Sequence, residues 1–169
     1  MVDRVFAENE FYSIENTLKY QDESGYLYVL GEISNVSEES LTNVTLTADF
    51  YDIDGKLLGE YYRSPEIGVI NPAERSPFKI IYLEQPTADK VFNYTIRVDY
   101  EVGNIKPDEL VIESLNSRFD ISGFYYINGQ ITNNGIENAN NVTVVGTFYD
   151  KNGNVIGITE AITEPFSIP

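Results

Sequence analysis

The residues of this chain that could do chemistry are mainly carboxylates, and their most suggestive spacing is Asp52-x-Asp54-Gly55. Carboxylate oxygens at alternate positions before a glycine are typical of the opening of a calcium-binding loop. Such a loop ends on a bidentate Glu at its twelfth position, where this chain has Arg63. The competing interpretation is a hairpin turn in which Asp accepts hydrogen bonds from its own loop. We favour the turn and predict no metal site. Under the calcium interpretation, the candidate ligands are Asp52 and Asp54.

The composition of this chain offers few of the residue types that catalysis usually uses. The chain contains neither Cys nor His, so it lacks disulfides, thiolate and imidazole ligands, and the usual tunable bases and nucleophiles. Its 27 acidic residues supply many carboxylate pairs of the kind that glycosidases use. A small protein built of strands offers no obvious deep cleft for a substrate, however. The sequence therefore predicts a protein that is not an enzyme, with no catalytic residues and no cofactor.

Four Asn-x-Ser/Thr stretches fit the acceptor pattern for N-glycosylation. They begin at Asn35, Asn43, Asn93 and Asn141. Asn at the start of a strand, with Thr at a β position, accounts for Asn43 and Asn141 without a glycan. Glycan attachment would depend wholly on the host.

Two pairs of adjacent tyrosines, Tyr61-Tyr62 and Tyr125-Tyr126, could stack on sugar rings. Neighbouring residues of a strand point to opposite faces, so neither pair can make one platform. Packing in the core or across strands is the predicted role of these rings.

The charge balance, 11 basic against 27 acidic residues, gives a net charge of −16. Such a field repels nucleic acid and anionic lipid and favours solubility. No run of residues is long and apolar enough to span a bilayer, so we expect no nucleic-acid partner and no direct membrane insertion. The N-terminus, Met-Val-Asp-Arg-Val-Phe, does not resemble a signal peptide. A signal or anchor is therefore expected outside this chain.

Alternating apolar and polar residues predict β-strands throughout the first half. The predicted strands cover residues 11–22, 26–34, 44–51, 57–63, 78–83 and 92–100. Residues 1–11 are predicted to be an irregular lead-in, and residues 85–89 a crossing loop able to hold one helical turn. Short strands with regular turn signals and no helical periodicity predict an all-β, antiparallel β-sandwich.

The second half repeats the first at a constant offset of 98. Gly129 follows Gly31, and Phe148 follows Phe50, by that number. The match runs without a gap from about residue 12 to 59 and from about 110 to 157, which indicates an internal duplication. We predict a first sandwich repeat at 1–104 and a second at 105–169. The second lacks counterparts of the last strands of the first, so either the natural protein is longer or another chain supplies them.

Small residues recur on the predicted core side of the strands. Gly31 and Gly129 occupy one such position, and Ala48 and Gly146 another. They are expected to leave room for large rings of the facing sheet, such as Phe50 and Phe148.

The repeated Phe-Tyr-Asp-x-x-Gly stretch follows Gly-x-Ile-x-Asn and Asn-Val-Thr in both copies, and this arrangement resembles the FxLYD-type domain of bacterial and archaeal exported proteins. Residues 71–78, Asn-Pro-Ala-Glu-Arg-Ser-Pro-Phe, are similar to the Pro-Gly-Glu-x-x-Pro-Phe region of that family. The resemblance covers about one and a half copies. It departs from the family pattern because Ala48 and Gly146 replace the name-giving Phe, and Phe50 and Phe148 replace its Leu. It implies tandem immunoglobulin-like sandwiches, the second incomplete, in an extracellular or cell-envelope setting, and it brings no catalytic residues.

Together these observations predict a non-enzymatic cell-surface or secreted module that acts as a structural spacer or protein-interaction domain. The first alternative is a self-assembling surface subunit whose open second repeat is completed by a strand from a neighbour. A further alternative is a carbohydrate- or calcium-binding module. Expected partners are therefore another protein or a second copy of the chain.

Overall fold

The computed structural model describes residues 10–169 and consists almost entirely of strands with short connections. The elements are β1 (Tyr12–Gln21), β2 (Leu27–Asn35), β3 (Ser40–Tyr51), β4 (Leu57–Arg63), β5 (Arg75–Tyr82), α1 (Gln85–Ala88), β6 (Asn93–Gly103), β7 (Leu110–Phe119), β8 (Tyr125–Asn133), β9 (Ala139–Asn140), β10 (Thr143–Tyr149), β11 (Val155–Ile162) and β12 (Ser167–Ile168). The predicted strands of the first half and the helical turn are confirmed. The lead-in predicted for residues 1–11 lies mostly outside the described residues.

The first compact unit comprises residues 10–106 together with Val145–Thr159. Its strands β1–β6 form two antiparallel three-stranded sheets, with strand orders β1-β2-β5 and β4-β3-β6. Both sheets contribute buried side chains to one hydrophobic core. The all-β, antiparallel sandwich predicted from period-two alternation is therefore confirmed.

Aromatic rings join the two sheets at the centre of this core. Phe50 of β3 is fully buried, and its ring centroid lies 5.1 Å from that of Tyr82 on β5. Tyr61 and Tyr94 contact the same ring from β4 and β6, at 6.0 and 6.2 Å. Burying such a side chain stabilises the folded state by about 1.5–3 kcal/mol.

The ring that lies over Gly31 is not the predicted one. A Cβ atom at Gly31 would come within 2.7 Å of Cζ of Phe78. Phe78 stands opposite Gly31 in the ladder between β2 and β5, so the ring comes from the neighbouring strand of the same sheet. The expectation that Gly31 makes room for Phe50 was wrong. At Gly146 the side chain nearest to an added Cβ is Thr159, at 3.0 Å, rather than Phe148.

Four hairpin turns share one Asp-x-x-Gly geometry. They are Asp22–Gly25, Asp52–Gly55, Asp120–Gly123 and Asp150–Gly153, and their glycines have φ between 77° and 85°. In each turn the Gly N–H donates to the Asp backbone carbonyl, and Asp Oδ1 accepts the N–H groups of the residues two and four positions later. The first two turns recur 98 residues later, the offset of the sequence match.

The second compact unit comprises Pro107–Val144 and Glu160–Pro169. It contains the antiparallel pair β7–β8 and a two-residue ladder between β9 and β12. The boundary between the units falls after Lys106, close to the predicted division at residues 104 and 105, but residues Val145–Thr159 of the β10–β11 hairpin group with the first unit.

Within residues 10–169, no helix has the length and apolar character needed to cross a membrane.

Candidate interaction site

The calcium candidates Asp52 and Asp54 lie in the hairpin turn between β3 and β4. Oδ1 of Asp52 accepts the backbone N–H groups of Asp54 and Lys56, at 3.0 and 2.9 Å. In the matching turn, the Asn154 side chain and backbone N–H groups hold the pKa of Asp150 below its ordinary value. Among residues 10–169 there is no group of three or more acidic side chains placed to hold a metal ion. The arrangement at Asp52 is that of a hydrogen-bonded turn.

Replacing Asp52 with alanine should lower the free energy of unfolding by about 1 kcal/mol, because two backbone N–H groups lose their acceptor. Asp52→Asn keeps an oxygen at the same place and should lose less. Urea unfolding followed by circular dichroism measures both. Asp54→Ala is the control, since it removes the same charge from an exposed position of the same turn. Equal losses for Asp52→Ala and Asp54→Ala would contradict the assigned role of Asp52.

The glycosylation candidates differ in their surroundings. Asn35 is only 2% exposed, and its Nδ2 donates to the carbonyls of Glu39 and Ile70, at 2.7 and 2.8 Å. Both amide hydrogens of Asn35 are thus engaged in the folded chain. Asn43 and Asn141 are exposed and take φ values of 49° and 53°. Asn tolerates this left-handed conformation better than most residues, which explains its recurrence without reference to a glycan.

The tyrosine pairs do not form sugar-stacking platforms. Tyr61 packs on the core rings, whereas the adjacent Tyr62 is exposed on the other face of β4. Tyr125 contacts the ring of Phe119 across the β7–β8 pair at 4.7 Å, and Tyr126 lies against the guanidinium of Arg118 at 5.7 Å. Cross-strand packing is the role that these contacts indicate.

Beside the β2–β3 connection the first unit carries a shallow depression of about 560 Å³. Its lining includes Ser34, Val36, Pro72 and Arg75, and it is open to solvent. Ligand sites generally enclose most of a small molecule and converge several polar groups on it. This depression does not have that form.

A buried carboxylate on β2, Glu32, was not among the residues that the sequence interpretation singled out. Glu32 is 1% exposed, accepts hydrogen bonds from Asn16 Nδ2 at 2.8 Å and Tyr149 Oη at 2.6 Å, and lies 3.6 Å from Arg75. Tyr149 belongs to the hairpin residues that group with the first unit. The two hydrogen-bond donors and the nearby Arg75 guanidinium compensate the cost of burying this carboxyl group, so the cluster is a structural element of the first unit.

The second unit exposes an apolar face on the β7–β8 pair. In an antiparallel ladder, paired residues share a face, so one face carries Ile112, Leu115, Phe119, Tyr125, Ile127 and Ile131. We call these six residues the β7–β8 face. Leu115 is 65% exposed and Phe119 72%.

The first unit buries the matching positions of β2. Tyr125 and Ile127 are 44% and 48% exposed, whereas Leu27 and Val29, which precede them by 98 residues, are 5% and 0% exposed. The β7–β8 face therefore corresponds to a core surface of the first unit. Contiguous exposed apolar surface of this kind commonly marks a site of protein association.

The outer edge of β8 continues this surface. In the part of the chain that the structure describes, β8 pairs with β7 alone, whereas β2 pairs with β1 on one side and β5 on the other. The sequence of β8, Tyr-Tyr-Ile-Asn-Gly-Gln-Ile-Thr-Asn, contains no charged residue and no proline. Edge strands that must not pair with another chain usually carry charged residues or proline. In the first unit the edge strand β5 does carry them, as Arg75, Pro77 and Lys79.

Comparison with known proteins yields little. No protein-family model matches this chain, and no curated protein matches it either. Among solved structures, the crystal structure of Campylobacter jejuni cj0090 is similar over 57% of this chain and 96% of its own length, with 12% sequence identity and a TM-score of 0.37. That likeness is too low to carry an argument about fold or function.

Proposed function

We propose that this chain is a non-enzymatic protein-interaction module of a cell-surface or secreted protein. The observation that carries the proposal is the open edge of β8 next to the exposed β7–β8 face. Strand addition at such an edge obtains affinity from backbone hydrogen bonds and specificity from side chains on the apolar face. In this proposal the first unit serves as the stable support, and the second unit supplies the surface that binds.

The setting outside the cell rests on the resemblance of the repeated Phe-Tyr-Asp-x-x-Gly stretch to FxLYD-type domains of exported proteins. The immunoglobulin-like and tandem character of the domains rests on the same resemblance and on the recurrence of the Asp-x-x-Gly turns. The strongly acidic surface is compatible with that setting, because it keeps an exposed apolar strand pair in solution.

Hydrogen–deuterium exchange, combined with size exclusion and multi-angle light scattering, tests the proposal. We expect a monomer in which peptides covering Tyr125–Asn133 exchange much faster than peptides covering Leu27–Asn35, because β2 is paired on both sides. The strand β2 thus provides an internal standard at matching positions. A monomer in which β8 is protected as strongly as β2 would contradict the proposal, since no free edge would remain.

Self-assembly is the second candidate, and the sequence of β8 favours it. Antiparallel pairing of two β8 strands centred on Gly129 would bring Ile127 of one copy opposite Ile131 of the other, on one face. Such a two-fold contact would extend the β7–β8 pair to four strands. In the same experiment it predicts a dimer whose β8 amides become protected as the protein concentration rises. A concentration-independent monomer would exclude it.

A further inference from the structure

Two fully buried apolar side chains of the first unit lie outside its main core. Val155 of β11 is 0% exposed and Leu30 of β2 is 1% exposed. Neither belongs to the hydrophobic cluster between the two sheets, whereas Val29, the neighbour of Leu30, does. Successive residues of a strand point to opposite faces, so Leu30 lies on the outer face of the sheet β1-β2-β5. A second, smaller buried layer therefore exists on that outer face.

The β10–β11 hairpin covers this layer. Glu32 lies on the same face of β2 as Leu30, and Tyr149 of the hairpin donates a hydrogen bond to it at 2.6 Å. The first repeat gives a comparison for Val155, because Leu57, which precedes it by 98 residues, is 51% exposed. The same hairpin position is thus exposed in the first repeat and buried in the second, as expected of a hairpin that is packed against β2.

The hairpin is attached to the first unit less firmly than the other strands of that unit are. Within residues 10–169 its two strands form a sheet of their own, so no backbone ladder joins them to β1, β2 or β5. A two-stranded hairpin without further support is only marginally stable in water. Side-chain packing and the contact with Glu32 hold the hairpin in place, and it can leave without breaking either sheet of the first unit.

The surface beneath the hairpin tolerates its departure. Glu32 would keep the Asn16 amide and the Arg75 guanidinium as partners and would gain water, so its carboxyl group would not be left buried without partners. The apolar cost is confined to a small layer that includes Val155 and Leu30, while the core between the sheets stays closed. Proteins commonly open locally in units of this kind, at a lower free energy than global unfolding requires.

We propose that the β10–β11 hairpin is a strap that opens as a unit while the two sheets of the first unit stay folded, and that the hydrogen bond from Tyr149 to Glu32 holds it closed. In the closed state the strap keeps Leu30 and Glu32 from other molecules. Opening uncovers a surface on β2 that shares no residue with the β7–β8 face, so the inference does not depend on the proposed function.

The test measures how fast single cysteines react with a chromogenic thiol reagent in the full chain, which has no cysteine of its own. Val155→Cys reports on the strap. Val29→Cys is the matched control, because it is the same substitution at an equally buried position of the main core. We expect Val155→Cys to react about 100-fold faster or more. Its rate should depend weakly on urea, since opening exposes little surface, whereas the rate of Val29→Cys should rise steeply.

Two further comparisons test the covered surface and the hydrogen bond. Leu30→Cys should react at a rate close to that of Val155→Cys, although Leu30 is adjacent to Val29 in the chain. Adding Tyr149→Phe to Val155→Cys should speed the reaction about tenfold or more, because a hydrogen bond to a buried carboxyl group is lost. Adding Tyr62→Phe, at an exposed position, should leave the rate unchanged.

Equal rates and equal urea dependence for Val155→Cys and Val29→Cys would overturn the inference, since the hairpin would then open only when the first unit unfolds. A rate for Leu30→Cys as slow as that for Val29→Cys would show that the surface of β2 is not uncovered. Fast reaction of Val155→Cys that Tyr149→Phe leaves unchanged would contradict the role assigned to the hydrogen bond.

Discussion

Replacing Phe78 with alanine should lower the free energy of unfolding by about 3–5 kcal/mol, the range expected for removing a buried aromatic ring. Phe78 is fully buried and packs over Gly31 in the ladder between β2 and β5. The substitution would leave a cavity against the sheet β1-β2-β5. The hydrogen-bonded strands of that sheet hold the backbone in place, so the surrounding structure cannot move in to fill the cavity. Urea unfolding followed by circular dichroism measures the loss. Phe92→Ala is the control, because Phe92 is about half exposed and should lose less than about 1 kcal/mol.

A double-mutant cycle with Gly31 makes this prediction more specific. Gly31→Ala alone forces a Cβ against the ring of Phe78 and the methyl group of Thr17, at 2.7 and 2.8 Å, and should cost about 1–3 kcal/mol. In the Phe78→Ala background the same substitution should cost less, because the ring has gone while the Thr17 contact remains. Strictly additive costs would show that Phe78 does not set the requirement for glycine at position 31.

The Gly31 contact shows where sequence reasoning succeeded and where it failed. Alternation placed Gly31 on the core face of its strand and marked it as a site of close approach, and both points are correct. The identity of the approaching ring depends on which strand is the neighbour of β2, and β5 lies more than 40 residues further along the chain. Local periodicity carries no information about such non-local pairing, so the facing-sheet residue Phe50 was chosen wrongly.

The turns were the most predictable feature. Each Asp-x-x-Gly combines an acceptor for loop N–H groups with a residue free to take positive φ, and both requirements are local. The calcium interpretation of Asp52 and Asp54 used the same residues, and geometry was needed to show the Asp52 carboxylate engaged with its own backbone. Sequence reasoning predicted an open second repeat but did not identify the β7–β8 face. Its composition and exposure became apparent once the register between β7 and β8 was known.

Glu32 shows a limit of a different kind. Period-two alternation describes a strand that is buried on one face, and Glu32 and Leu30 lie on the face of β2 opposite to Val29 and Gly31. Glu32 and Leu30 are both 1% exposed in the structure, so β2 is buried on both faces. Tyr149, which donates a hydrogen bond to Glu32, is 117 residues away in the chain, and no local pattern in β2 predicts this contact.

Tyr149→Phe should therefore lower the free energy of unfolding by about 1–3 kcal/mol at neutral pH. The substitution removes one donor from the buried carboxylate of Glu32 and leaves the ring in place. Tyr62→Phe is the matched control, since Tyr62 is largely exposed and should change stability little. Losses of similar size in the two variants would contradict the role assigned to the Tyr149 hydroxyl.

The pH dependence of this effect follows from the protonation of Tyr149. Burial, followed by the hydrogen bond to Glu32, raises the pKa of Tyr149 above its ordinary value of 10.0. A group whose pKa is higher in the folded state contributes stability that is complete below the unfolded pKa and is lost as pH rises through the folded pKa. The stability difference between the wild type and Tyr149→Phe should thus stay constant up to about pH 9 and shrink above about pH 10. Because other tyrosines titrate in both proteins, the difference isolates Tyr149, and a difference that grew above pH 10 would reverse the assigned direction of its pKa shift.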